Sequence, residues 1–225
     1  RGRIWQALQG TEYEQYHDEN RPPGFNYSNP FPPGDMQEGD ERTLLISAPQ
    51  EQLLADVAED LTGDRELNIG QMPFHIDELT SLSPDVGEPG SSGTIETGTG
   101  LLVRIPPWRC DDYGIENPGE EAVYWQPEHT IEPLREQIEA NLDQKHDLFS
   151  PEYLPGPSDT EGDLFEGYEL LKTFAVPLQV TVDQELTFVL SKWQFNYTVR
   201  DDDHRRHLNL ALDCGLGERN ALGLG

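Results

Sequence analysis

In FAVPLQVTVDQELTFVLSKWQFNYTV, residues 174–199, apolar side chains return at every second position. The first arm carries Phe174, Val176, Leu178, Val180 and Val182. The second sets Trp193, Phe195, Tyr197 and Val199 against Lys192, Gln194, Asn196 and Thr198. A period of two held this long places successive side chains on opposite faces of a strand, so the run reads as a long hairpin with one packed face. Working outward, Leu208, Ala211 and Leu212 mark a helix after the hairpin, with Gly215 as its C-terminal cap. Before it, a loose acidic stretch covers Ser150 to Gly167. Ile131, Leu134, Ile138 and Leu142 give one helical face, and Thr94 to Ile105 reads as a strand. The second half therefore runs strand, helix, hairpin, helix.

The first half has a similar order. Ile4 and Leu8 suggest a short helix ending near Gly10, and strands are expected around Phe25 to Ser28 and from Arg42 to Ala48. Leu54, Val57, Ala58 and Leu61 mark a second helix, and a strand is expected from Pro73 to Leu82. SPDVGEPGSSG, residues 83–93, reads as a linker between the halves. Two halves with one element order predict an α+β chain of two tandem ferredoxin-like (RRM-like) domains, residues 1–84 and 85–225. On this reading the chain is a fragment, with its first strand lying before Arg1 and its last after Gly225.

Composition narrows the function classes. The 225 residues hold 15 Lys and Arg against 43 Asp and Glu, a formal charge of −28. No apolar run reaches the roughly 18 residues of a membrane span, and two cysteines, Cys110 and Cys214, make no disulfide framework. No signal peptide is read, so a reducing cytoplasm is the expected location. Such acidity normally argues against nucleic acid, whose phosphates are met by Lys and Arg. Here only Lys145, Lys172 and Lys192 are lysines, and carboxylates are spread along the whole chain, as suits a salt-rich cytoplasm. At 1 M salt the Debye length is about 3 Å, so net charge loses its long-range veto over an anionic partner and short contacts decide binding.

The sharpest motif is GLGERNALGLG, residues 215–225, two Gly-apolar-Gly units five residues apart with Arg219 between them. Glycine permits positive φ and close backbone approach, so its amides can line an anion-binding concavity. The loop lacks the Lys-Ser/Thr of a phosphate-binding nucleotide loop, and no strand precedes it, as a dinucleotide fingerprint requires. Composition alone leaves two readings open: an anion cradle, or a glycine-rich turn closing the preceding helix.

This loop resembles the signature of the RAMP superfamily of RNA-binding proteins in CRISPR systems. With Glu-Arg-Asn-Ala-Leu between the glycine pairs, it is similar to the sixth Cas family, the endoribonucleases that process CRISPR repeats. YHDENRPPGFNYSNPF (residues 16–31) resembles that family's His, polar loop and aromatic strand. GRIWQAL (2–8) resembles the preceding helix, and EANLDQKHDLF (139–149) a helix end in the second domain. The resemblance implies two RRM-like folds side by side and metal-independent cleavage within repeats of precursor RNA. It also implies guide RNAs with a short repeat-derived 5′ handle, and ends carrying a 2′,3′-cyclic phosphate and a 5′-hydroxyl. No cofactor is implied. The partners are repeat RNA, as precursor and mature crRNA, and the Cas subunits of an interference complex, with no membrane. A non-catalytic RAMP subunit that only holds crRNA is the alternative.

His17 is the catalytic candidate. Attack by a 2′-hydroxyl needs a base for that hydroxyl and an acid for the departing 5′-oxygen, and an imidazole with an ordinary pKa near 6.5 serves either role. Read alone, His17 is an isolated histidine where a helix gives way to a polar loop; the resemblance places it at the family's active-site His. The same comparison expects a Tyr where Trp5 stands and a Lys where Pro23 stands, and neither replacement supplies that chemistry. Arg21 is the nearest cation for the phosphorane charge, or else a solvent-facing loop residue. Tyr16 and Tyr27 either replace the missing phenol or pack, and Ser28 reads as a structural hydroxyl. Gly215, Gly217, Arg219, Gly223 and Gly225 are the RNA-binding candidates. Arg205 and Arg206 either touch RNA or belong to a charged helix start. His204, His207 and Cys214 fall short of a four-ligand zinc set, and His75, His129 and His146 have no constellation around them. Trp193, Phe195 and Tyr197 are assigned to the core.

Overall fold

A computed structural model describes residues 2–17, 24–116, 123–181 and 184–218. The long hairpin is present. Strand β8 (Gly167–Thr181) pairs antiparallel with β9 (Gln184–Thr198), and β5 (Ser92–Glu96) joins the other edge of β9, giving a three-stranded antiparallel sheet in the order β5-β9-β8. On β9, Trp193 and Phe195 are buried on one face, while Phe188 and Leu190 are buried on the other. The packed face therefore changes between positions 190 and 193. A bulge in β8 between Leu170 and Lys172 shifts its register in step, so that Tyr168 lies opposite Phe195 and Phe174 lies opposite Leu190.

Each face has its own cover. Helix α4 (Glu132–Phe149) puts Leu134, Ile138 and Leu142, all fully buried, into the core shared with Trp193 and Phe195. Helix α5 (Asp202–Cys214) adds Leu208, Leu210 and Ala211. The Asp201 carboxylate caps α5 by accepting from His204 N at 2.8 Å, and Gly215, with φ +70°, ends the helix at the position expected of it. On the opposite face, Leu102 packs with Phe188, Leu190, Tyr124 and Phe174. Gly100 is needed there, because a Cβ on it would come within 2.7 Å of both Leu190 and Phe174.

The expected strand from Thr94 to Ile105 is broken. β5 stops at Glu96, the chain leaves the ladder through Thr97-Gly98-Thr99-Gly100, and Leu101 returns to bridge Ser191. Glycines without side chains to pack weaken a strand interior, which accounts for the excursion. Beyond it, β6 (Arg104–Ile105) pairs with β7 (Val123–Tyr124), and the short helix α3 (Pro107–Cys110) follows β6.

In the first half, α1 (Gly2–Ala7) and α2 (Glu51–Gly63) pack through Ile4, Ala7, Leu8, Leu53, Val57 and Leu61. β1 (Asn26–Tyr27) pairs with β2 (Ile46–Ser47), extended by a Phe31–Thr43 bridge, so the strand expected from Arg42 is shorter than its sequence pattern. The strand expected from Pro73 to Leu82 is also corrected. β4 spans only Met72–His75 and pairs with an unforeseen β3 (Glu66–Ile69) through a two-residue turn in which Gly70 has φ +62°. After it the Arg65 guanidinium donates to the carbonyls of Ile76 and Asp77, holding extended chain without a ladder.

The stretch 83–93 is no loose tether. Val86 is buried and its N–H donates to Asn209 Oδ1, Arg205 bridges to Asp85 and Glu88, and β5 begins at Ser92. Ser150 to Gly167 is likewise anchored, by buried Leu164 and Phe165. No helix among the described residues is long and apolar enough to cross a membrane.

Candidate functional site

The glycine-rich loop starts where α5 ends, and a lysine fixes its first turn. Lys145, on α4, is only 7% exposed; its Nζ donates to the carbonyls of Gly215 at 2.7 Å and Gly217 at 3.0 Å. Burial lowers its pKa to about 8, with the Cys214 and Glu218 side chains pulling the other way. The next residue is tied down as well: Glu218 N donates to Leu102 O, while its carboxylate accepts from Arg104 N and lies 3.3 Å from Arg104 Nε. Sequence reasoning missed Lys145. It sits eleven residues after Leu134, seven after Ile138 and three after Leu142, and a cation in line with an apolar helical face is the signal that could have found it.

His17 closes a single 3₁₀ turn, Glu14–His17. Beside it Tyr16 packs into the first-half core, edge-on to Tyr13, and its hydroxyl accepts from Gln50 Nε2 at 3.4 Å. Gly24, at the far end of the polar loop, has φ +74°. A Cβ there would lie 3.3 Å from the Tyr16 ring and 3.5 Å from the Phe149 ring. Phe149 is the last residue of α4 and Lys145 stands four residues earlier, a rise of about 6 Å along the helix. One end of α4 thus meets both the root of the His17 loop and the start of the glycine loop. The His17 side chain, Arg21, Pro23, Arg219, Gly223 and Gly225 lie outside the described residues; Gly215 and Gly217 lie within them.

Several other candidates resolve into structural parts. Trp5 lies edge-on to Phe25 at 5.0 Å, and Tyr27 packs on the same core. The Ser28 hydroxyl accepts from Leu45 N at 2.9 Å. Arg205 is engaged by Asp85 and Glu88, and Arg206 by Asp203 and the Pro155 carbonyl. His204 Nε2 is 2.9 Å from Leu164 O and His207 Nε2 is 2.9 Å from Pro155 O, while burial pushes both pKa values down. The Cys214 thiol is pushed up to about 12 by burial. No group of three or more metal-ligating side chains is assembled among the described residues.

Comparison with known proteins gives one consistent family. The family described as "CRISPR associated protein Cas6, C-terminal" matches residues 90–225. A CRISPR-associated endoribonuclease Cas6 from Haloferax mediterranei is 53% identical over 225 residues, all of this chain and 83% of that protein. A second such endoribonuclease, from Methanocaldococcus jannaschii, is 24% identical over all of this chain and 88% of its own length. Among solved structures, a Cas6-related protein from Pyrococcus furiosus superposes with a TM-score of 0.64 at 16% identity, over all of this chain and 86% of that one. A Cas6 product complex gives a TM-score of 0.54 at 13% identity, over all of this chain and 89% of that one.

Proposed function

This chain belongs to the Cas6 family of CRISPR-associated proteins, and from that premise we propose that it is an endoribonuclease that cleaves CRISPR precursor RNA within the repeats to release guide crRNAs for antiviral defence. The observation that supports the reading of the site is the shared end of α4, where Phe149 stands beside Tyr16 and Gly24, which flank the His17 loop, and Lys145 holds Gly215 and Gly217 at the start of the glycine loop. The even spread of carboxylates and the scarcity of lysine suit a salt-rich cytoplasm.

The chemistry follows from what each part offers. A 2′-hydroxyl of the repeat attacks the adjacent phosphorus, the P–O5′ bond breaks, and the products carry a 2′,3′-cyclic phosphate and a 5′-hydroxyl. His17 moves the proton, taking it from the 2′-hydroxyl or giving it to the 5′-oxygen. Arg21 opposes the charge gathering on the phosphorane oxygens. The Gly215 N–H closes α5 by donating to Ala211 O, so the amides of Gly217, Gly223 and Gly225, with Arg219, hold the strand. Trp5 contributes packing and no proton transfer, so one imidazole does the work that a Tyr, His and Lys would share, and turnover is expected to be slow.

Two tandem ferredoxin-like domains, 1–84 and 85–225, are part of the same proposal, and support for it comes from the second half. The antiparallel order β5-β9-β8, with α4 and α5 on one face, corresponds to three of the four strands of such a sheet. Mature crRNA and interference-complex subunits are the further partners of this reading.

The test is cleavage of repeat RNA in EDTA by the native chain and by His17→Ala. Native cleavage with a variant that binds but does not cut is expected. Undiminished cutting by His17→Ala overturns the role of His17, and binding without cutting by the native chain identifies a non-catalytic RAMP subunit.

A further inference from the structure

Three lysines serve a chain of 43 carboxylates, and two of them lie directly opposite each other: Lys172 on β8 faces Lys192 on β9. Like charges placed across a strand pair are destabilising, so this is a costly way to use scarce cations. The bulge creates the arrangement. Before it, paired positions sum to 363, as in Leu170 with Trp193, and that register would set Leu171 opposite Lys192. After it the register advances by one and brings Lys172 there instead. Bulges re-aim side chains in this way.

Carboxylates do not neutralise the doublet. Arg104, Arg109, Arg135 and Arg206 are each held by one and Arg3 and Arg205 by two, whereas neither Lys172 nor Lys192 meets a carboxylate among the described residues. Glu169, in the neighbouring row, is engaged by Gln194 Nε2. Lys192 Nζ instead donates to Gly98 O at 2.8 Å, and the Lys172 ammonium stands 5.3 Å from the centre of the Phe174 ring. Both contacts leave ammonium hydrogens available, since each lysine carries three donors.

The doublet is also connected to the glycine loop. Lys192 holds Gly98, and Leu102, four residues on, accepts from Glu218 of the loop. Four extended residues span at most about 14 Å, a distance that a few nucleotides of backbone cover. We propose that Lys172 and Lys192 form a phosphate clamp that grips the backbone of the repeat RNA a few nucleotides from the glycine-rich loop. The ammonium groups share one phosphate, whose charge relieves their mutual repulsion, so the site is strained when empty and relaxed when filled. The inference rests on the reading of the substrate as repeat RNA.

The experiment compares the native chain with Lys172→Gln, Lys192→Gln and the double variant. Affinity for repeat RNA carrying 2′-O-methyl riboses, which cannot be cut by 2′-attack, is measured against KCl concentration, with Tm recorded in parallel. Each single variant is expected to bind several-fold more weakly. The double variant should bind little worse than the weaker single, because one phosphate is shared, and its slope of log affinity against log salt should be shallower by about 1. Tm of Lys172→Gln should hold or rise. Unchanged affinity and slope in the double variant overturn the proposal, as does weaker binding that follows a lowered Tm with an unaltered slope. Cleavage of ordinary repeat RNA by the native chain, lost in His17→Ala, is read separately, so failure of the clamp and failure of the nuclease reading are distinguishable.

Discussion

Lys145 is the residue whose removal is most informative about the loop. Its ammonium meets two glycine carbonyls in a buried place, and Lys145→Met leaves both without that donor. An unsatisfied buried acceptor costs about 1–3 kcal/mol, so a stability loss of that order is expected in chemical denaturation, together with weaker binding of repeat RNA. Its titration gives a second readout. The folded pKa is about 8 and the unfolded value near 10.4, so between these the unfolded chain binds more protons and stability gains with rising pH. That contribution should vanish in Lys145→Met when unfolding free energy is followed from pH 7.5 to 10. At this scale the sequence was partly legible. The His17 loop and the glycine pairs stand out by residue type alone, but Lys145 shows its role only once Gly215 and Gly217 have folded back onto α4.

Among the elements, α5 is held by two neutral imidazoles that reach the carbonyls of Leu164 and Pro155. Burial depresses both pKa values below the ordinary 6.5. The unfolded chain therefore takes up protons that the folded chain resists. Their contribution is fully present above about pH 6.5 and is lost as pH falls toward the folded values. Acid titration of unfolding free energy from pH 7.5 to 5 should show this loss, and replacing both histidines by Gln should flatten it. The long hairpin illustrates what alternation does and does not reveal. A period of two announced β8 and β9, yet the change of packed face between Leu190 and Trp193 depends on which elements arrive on each side, and those come from distant sequence. The short strands β1, β2, β6 and β7 have two residues each, too few for any periodicity to register. The Thr97–Gly100 excursion has its cause in Gly98 and Gly100, yet the apolar positions on either side make Thr94 to Ile105 read as one strand.

For the molecule as a whole, charge is the governing feature. At −28, self-repulsion opposes compaction at low ionic strength and is screened within about 3 Å at 1 M salt. Tm should therefore climb as KCl is raised from about 0.1 to 2 M, and thermal scans across that range check it. The same screening suppresses long-range repulsion of RNA while sparing short contacts of the kind made at a clamp or an amide cradle. The charge balance was fully readable from composition. The meeting of the two halves was not, because Gly24 is informative only when Tyr16 and Phe149 are seen on either side of it.

Because the closing turn of α4 bears Lys145 on one side and Phe149 at its tip, fraying of that single turn would free Gly215 and Gly217 and unseat Tyr16 and Gly24, which flank the proposed catalytic His17 loop, at once. Heat should then silence the nuclease below its melting temperature, with retention and cutting failing in concert instead of one after the other.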